Sequence, residues 1–185
     1  MTVTRSLCAA AFALTAFCAS AHAADFTLQS SLLEDNGLLD AKYTGNNPAN
    51  PNCVGQNVSP PLAWSNAPAG AKSFALIALD VDGQAGIGVV HLVAYGVKAD
   101  VASFAEGAIS AASDVFVSGK NTPGTPGWFG PCPPAGSMHH YNVTIIASDL
   151  APDALAPGLT RDELLGALKG HALRSATLVM RRAHP

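Results

Sequence analysis

The stretch Phe74-Ala-Leu-Ile-Ala-Leu-Asp80, followed after eight residues by Val89-Val-His-Leu-Val-Ala-Tyr-Gly-Val97, decides the fold. Each run is short, apolar and bounded by turn residues, which marks a buried strand rather than a helix. Val81 to Gly88, between them, holds three glycines, so the pair reads as a hairpin with Asp80 and His91 near its loop end. Further along, Tyr141, Val143, Ile145 and Ala147 alternate with Asn142, Thr144 and Ile146, a period of two that indicates another strand although Ile146 interrupts the polar face. Thr160 and Glu163 form a capping box ahead of Leu164, Leu165 and Leu168, so a short helix begins there, and Ala176 to Met180 reads as a closing strand. Short connections between strands leave no room for parallel crossovers, and the expected architecture is a mostly β, antiparallel domain with one late helix.

Two segments interrupt this pattern. Tyr43 to Pro61 and Gly119 to Gly136 are crowded with Asn, Gly and Pro and read as long irregular loops. Loops of that length without helix or strand are uncommon and often functional.

The chain has 185 residues, is 49% hydrophobic and only 12% charged, with 17 glycines and 13 prolines, which suits one turn-rich globular domain and excludes disordered and collagen-like architectures. Residues 1–23 read as a secretory signal: Arg5 at the start, an apolar stretch from Leu7 to Ala19, and Ala21-His22-Ala23 as a small-x-small cleavage site. That stretch is shorter than the roughly 20 apolar residues a membrane span requires. A lipoprotein anchor on Cys18 is disfavoured by the bulk of Phe17 before it. The expectation is therefore a domain over residues 24–185, periplasmic or secreted after cleavage near Ala23. The formal net charge of -3 falls to -4 when Arg5 leaves, and no basic run points to nucleic acid or to stable membrane insertion.

Cys8 and Cys18 leave with the leader, so two cysteines, Cys53 and Cys132, remain in an oxidising compartment. They read as one disulfide, or else as two unpaired buried thiols; neither has the short-range Cys or His partner of a structural zinc site.

Among the remaining histidines, His91, His139 and His140 lie at or beside strand ends next to the Gly/Pro loops. In a strand His139 and Tyr141 share a face and His140 takes the other. If the hairpin's loop end abuts the start of that strand, Asp80, His91, His139 and Tyr141 converge, mixing imidazole and phenol donors with a carboxylate. Such a set suits a phosphate, and the carboxylate adds an attraction for an ammonium. The plainer alternative is that each histidine is a polar tip satisfied by backbone and Tyr141 merely packs. Trp128 and Phe129 either wall a pocket or cover the core.

Taken together, Asn57-Val-Ser-Pro-Pro-Leu-Ala-Trp64, Pro68-Ala-Gly70, Asp80-Val-Asp82, Gly127-Trp-Phe-Gly-Pro-Cys-Pro-Pro134 and His139-His-Tyr141 resemble the phosphatidylethanolamine-binding protein family, in its bacterial Raf-kinase-inhibitor-like branch. The similarity runs from about Phe26 to Met180. It implies a larger and a smaller antiparallel sheet, a C-terminal helix and one small anion pocket. The family's pocket residues fall on Asp80, His91, His139 and Tyr141, with Asp82, Val89, Trp128 and Pro131 at the rim. Cys53 and Cys132 match cysteines of exported members, which supports their pairing.

Three departures stand out. The family's Asp-Pro-Asp-x-Pro appears as Asp80-Val-Asp-Gly-Gln84, without either proline, so the rim should be looser. Val89 stands where the family carries a tryptophan, which widens the pocket and removes a cation–π surface. His140 replaces an arginine. Phosphate recognition survives these changes better than amine recognition does.

The expected function is an exported, non-enzymatic binding protein for a phosphate-bearing small molecule or lipid head group, with no cofactor and no catalytic or metal-ligating residue. The alternative is an extracytoplasmic interaction or inhibitor module with a protein partner. An enzyme using a His/Asp acid–base pair, or a metal held by His91, His139 and Asp80, ranks last, since no Ser- or Cys-based nucleophile motif is present.

Overall fold

In the computed structural model, which describes residues 24–184, the apolar runs are strands buried on both faces. β4 (Ser73–Asp80) pairs antiparallel with β5 (Val89–Lys98) on one side and with β8 (Met138–Ser148) on the other. β9 (Ala172–Ala183) continues the sheet beyond β8. Short strands β2 (Gly37–Leu38) and β7 (Val117–Ser118) close its two edges, giving the order β2-β9-β8-β4-β5-β7. A smaller sheet is formed by β1 (Thr27–Gln29), β3 (Leu62–Ser65) and β6 (Ser103–Phe104), in the order β1-β3-β6.

Alternation along β4 explains why its sequence is apolar throughout. Phe74, Leu76 and Ala78 face Phe26, Leu28, Trp64 and Phe104 of the small-sheet region, while Ala75 and Ile77 face the other way. That second face is covered by α1 (Arg161–Leu168), whose Leu164 and Leu168 are buried against Ile77, Tyr95 and Ile146. Ile146 therefore interrupts the polar face of β8 because the helix lies over that end of the strand. The capping box forms as expected: the Thr160 hydroxyl accepts the Glu163 N–H, and the Glu163 carboxylate accepts the Thr160 N–H.

One pairing departs from the antiparallel expectation. β2 pairs parallel with β9 through Gly37↔Met180 and Leu38↔Arg181. The two strands lie far apart in the chain, so the short-connection argument against parallel pairing does not reach them. The expected signal segment, residues 1–23 with Cys18, lies outside the described residues.

Candidate functional site

Asp80 ends β4, directly opposite Tyr141 of β8 and Val89 of β5. It is almost fully buried, at 4% exposure, and each of its oxygens is engaged. Oδ1 accepts the backbone N–H groups of Asp82 and Gly83, both at 3.0 Å, which folds the chain sharply into the rim turn. Oδ2 accepts a 2.7 Å hydrogen bond from His139 Nδ1.

His91 lies two residues after Val89, the partner of Asp80, so strand alternation puts it on the same face. Ala78 pairs with Leu92 and Leu79 with Val90, so His91 is an extra residue on β5, a β-bulge. The bulge lets Leu92 share that face opposite Ala78, and the imidazole lies on the Asp80 side with Nε2 3.9 Å from Asp80 Oδ2. Its Nδ1 donates to the Phe129 carbonyl, and the Phe129 N–H returns a 2.8 Å bond to the His91 carbonyl. The Phe129 ring stacks on the imidazole at 5.3 Å between centroids. Since a carbonyl only accepts, the His91 proton resides on Nδ1, and Nε2 is a buried lone pair with no hydrogen-bond partner among the described residues.

Tyr141 is buried edge-on to His91, 5.2 Å between centroids, and its hydroxyl also lacks a partner among the described residues. Burial, then the nearby Asp80 and Asp82 carboxylates, push the phenol well above its ordinary value, so it is an O–H donor at every working pH.

Asp80, His91 and His139 meet at a cavity of about 450 Å³ whose lining also includes Val89 and Phe129. The opposite wall belongs to the 43–61 loop: Gly45, Asn46, Asn47, Asn50 and Asn57 line it, with Cys53 and Cys132 joined as a disulfide beside them. Asn57 stitches this loop to the other one, its Oδ1 accepting Gly130 N–H at 2.7 Å and its Nδ2 donating to the Trp128 carbonyl.

Three of the rim positions expected from sequence lie elsewhere. Trp128 is core, 3% exposed, because its Nε1–H finds a buried acceptor in the Tyr43 carbonyl; its neighbour Phe129 lines the cavity instead. Pro131 is buried behind the wall with its carbonyl accepting Gly45 N–H, and Pro134 takes the lining position. Asp82 turns outward to bind His140, accepting its backbone N–H at 2.7 Å and its Nδ1–H at 2.9 Å, bonds that hold the Asp82 carboxyl below the usual range. Tyr141 stands behind the lining rather than in it. The asparagines of this wall are not among the residues expected from sequence, and their sequence signal is the Asn-rich composition of the 43–61 loop.

Burial lowers the His91 pKa, more strongly than the Phe129 contact and Asp80 raise it. Protonation of this imidazole therefore favours the unfolded chain, where histidine titrates near 6.5, and stability should fall as pH drops below about 6.5. The His91 ring resonances should stay in the neutral position through that range in a pH titration by NMR. A titration midpoint at or above 6.5 would contradict the burial argument.

A two-sheet β fold with a late helix and a polar cavity where β4, β5 and β8 converge defines the class, and sequence comparison names it. The family model of the phosphatidylethanolamine-binding protein matches residues 29–183, and the chain belongs to that family. It is 36% identical over 154 residues to a UPF0098 protein of Methanothermobacter thermautotrophicus, covering 82% of this chain and 95% of the relative. It is 39% identical over 154 residues to LppC of Mycobacterium tuberculosis, a protein named as a lipoprotein, covering 83% and 70%. Among solved structures, a phosphatidylethanolamine-binding protein homologue of Chlamydia trachomatis superposes with a TM-score of 0.74 at 30% identity, over 86% of this chain and 98% of that one. Escherichia coli YbcL, described as a member of the mammalian family, gives 0.78 at 25%, over 88% and 100%.

Proposed function

We propose that this chain is an exported, non-enzymatic binding protein whose cavity takes a phosphate-bearing small molecule or lipid head group. The observation that carries the reading is the convergence of Asp80, His91 and His139 on one cavity, with two buried polar atoms behind it, His91 Nε2 and Tyr141 Oη, left without hydrogen-bond partners among the described residues. Buried polar groups are nearly always satisfied, and orphans grouped at a cavity are what a polar ligand or water would satisfy. Export is supported by the leader-like residues 1–23, by the Cys53–Cys132 disulfide and by the lipoprotein name of one relative.

The test follows the histidine ring resonances by NMR while phosphate and then phosphorylethanolamine are added, with His91→Ala and His139→Ala as controls. Saturable shifts in the parent protein that vanish in both variants are expected. Tighter binding of phosphorylethanolamine would show that Asp80 also reads the amine. Parent resonances unmoved by millimolar ligand, or variants that bind as well as the parent, would overturn the proposal.

A further inference from the structure

The ionisable groups take up one side of the cavity, and the other side is made of amides. Apart from Asp80, His91 and His139, every polar side chain in the lining is an asparagine or glutamine: Asn46, Asn47, Asn50, Asn57 and Gln84. Among the described residues no lysine or arginine lines it. On the ionisable side Asp80 is buried with both oxygens engaged, and His139 has spent Nδ1 on it, which leaves His139 Nε2 without a hydrogen bond among the described residues.

The free ends of the amides are set by the fold. Asn47 and Asn50 turn Oδ1 back onto the N–H groups of Ala49 and Asn52, both at 3.0 Å, so Nδ2 is the unspent donor end of each. Asn57 spends both of its ends on the neighbouring loop. Asn46 and Gln84 make no side-chain hydrogen bond among the described residues, so each offers a donor and an acceptor. A hydroxyl group both donates and accepts, and it therefore matches these amides at either end. Phe129, Val89 and Pro134 add apolar surface to the same space, which suits the C–H bonds of a saturated ring. At about 450 Å³ the cavity falls in the range that encloses a whole small molecule rather than a single charged group.

We propose that the asparagine wall is a hydroxyl-recognising subsite that takes a neutral sugar ring or polyol. The Asn47 and Asn50 Nδ2 groups donate to its oxygens, the Asn46 and Gln84 amides meet hydroxyls in both directions, and the apolar lining receives its C–H bonds. This goes beyond the phosphate reading of the cavity, because none of these contacts requires an anion. The local caps hold the Asn47 and Asn50 amides in place before a ligand arrives, so little side-chain freedom is lost on binding. Neutral hydrogen bonds exchanged for bonds to water contribute little each, and the subsite alone should bind in the millimolar range.

Side-chain amide resonances of the disulfide-intact protein, followed by NMR during titration with myo-inositol and with methyl glucoside, test this. Cyclohexanol, a six-membered ring with a single hydroxyl, is the control, and inorganic phosphate is added in a separate series. Both polyols should shift the Asn47 and Asn50 amide resonances saturably, and cyclohexanol should bind at least about tenfold more weakly, since it forfeits several hydrogen bonds. A double Asn47→Asp, Asn50→Asp variant keeps the oxygen that caps each turn and replaces the ligand-facing amide nitrogen with an acceptor; it should bind the polyols at least about tenfold more weakly than the parent. Gln84→Met removes an amide that the fold does not use and should weaken polyol binding about threefold even if the double variant is unstable. Cyclohexanol binding as tightly as the polyols, variants that bind them like the parent, or no saturable shift at tens of millimolar polyol would overturn the subsite. Phosphate binding without polyol binding would overturn the subsite and leave the phosphate reading standing, and polyol binding without phosphate binding would do the reverse.

Discussion

Replacing Cys53 and Cys132 together with serine is expected to lower stability by about 4–5 kcal/mol, or about 10–15 °C in Tm for a domain of this size. The bridge spans 79 residues of chain, and the entropy it removes from the unfolded state grows with the logarithm of that separation. In the folded state it joins the 43–61 and 119–136 loops, which carry opposite walls of the cavity. Gly45 lies directly against it: a Cβ there would come within 2.6 Å of Cys132 Sγ. Hydrogen bonds also cross this seam, from Gly45 to the Pro131 carbonyl, between Asn57 and Gly130, and from Trp128 to the Tyr43 carbonyl. The serine variant should therefore remain folded and lose stability rather than structure. Thermal unfolding of parent and variant, followed by circular dichroism, measures the difference. A loss under about 1 kcal/mol would mean that the unfolded chain already holds these loops near each other.

Elements whose reason is periodic are legible in the sequence, and those whose reason is a single local detail are not. Period two in β8 places His139 and Tyr141 on one face, and the turn-bounded run of β4 places Asp80 at its end; both follow from pattern alone. His91 is likewise expected beside Asp80 from its place near the loop end of the hairpin, whereas the bulge that lets Leu92 share its face leaves no mark in the composition of β5. The exchange of Trp128 for Phe129 at the cavity has a similar origin. Two adjacent aromatic residues in a loop carry no period, and the outcome turns on whether the indole N–H finds an acceptor inside, which depends on Tyr43, far away in the chain. The asparagine wall was hidden because Asn47 and Asn50 also cap local turns, the ordinary reason for asparagine in a loop.

Asp80→Ala is expected to have the second large effect, and comparing it with Asp80→Asn separates the residue's two roles. Alanine removes the acceptors of Asp82 N–H, Gly83 N–H and His139 Nδ1–H at once. Unsatisfied buried donors cost about 1–3 kcal/mol each. Part of that loss is offset, because the rim turn that Asp80 anchors holds Gln84 and Ala85 at φ of 52° and 57°, a left-handed conformation costing about 1–2 kcal/mol per non-glycine residue. Released from Asp80, the turn can relax, and a net loss of about 2–4 kcal/mol should appear as a lower urea midpoint with an unchanged slope. Asparagine keeps an oxygen for the two backbone N–H groups and places an amide N–H2 where Oδ2 stood, so His139 must move its proton to Nε2 to accept from it. This variant should lose no more than about 1 kcal/mol. It should nevertheless bind phosphorylethanolamine no better than phosphate, since the carboxylate that attracts the amine has become a neutral amide. If Asp80→Asn instead loses as much stability as Asp80→Ala, the carboxylate charge rather than its hydrogen-bond geometry holds the rim, and Asp80 cannot be assigned a separable binding role.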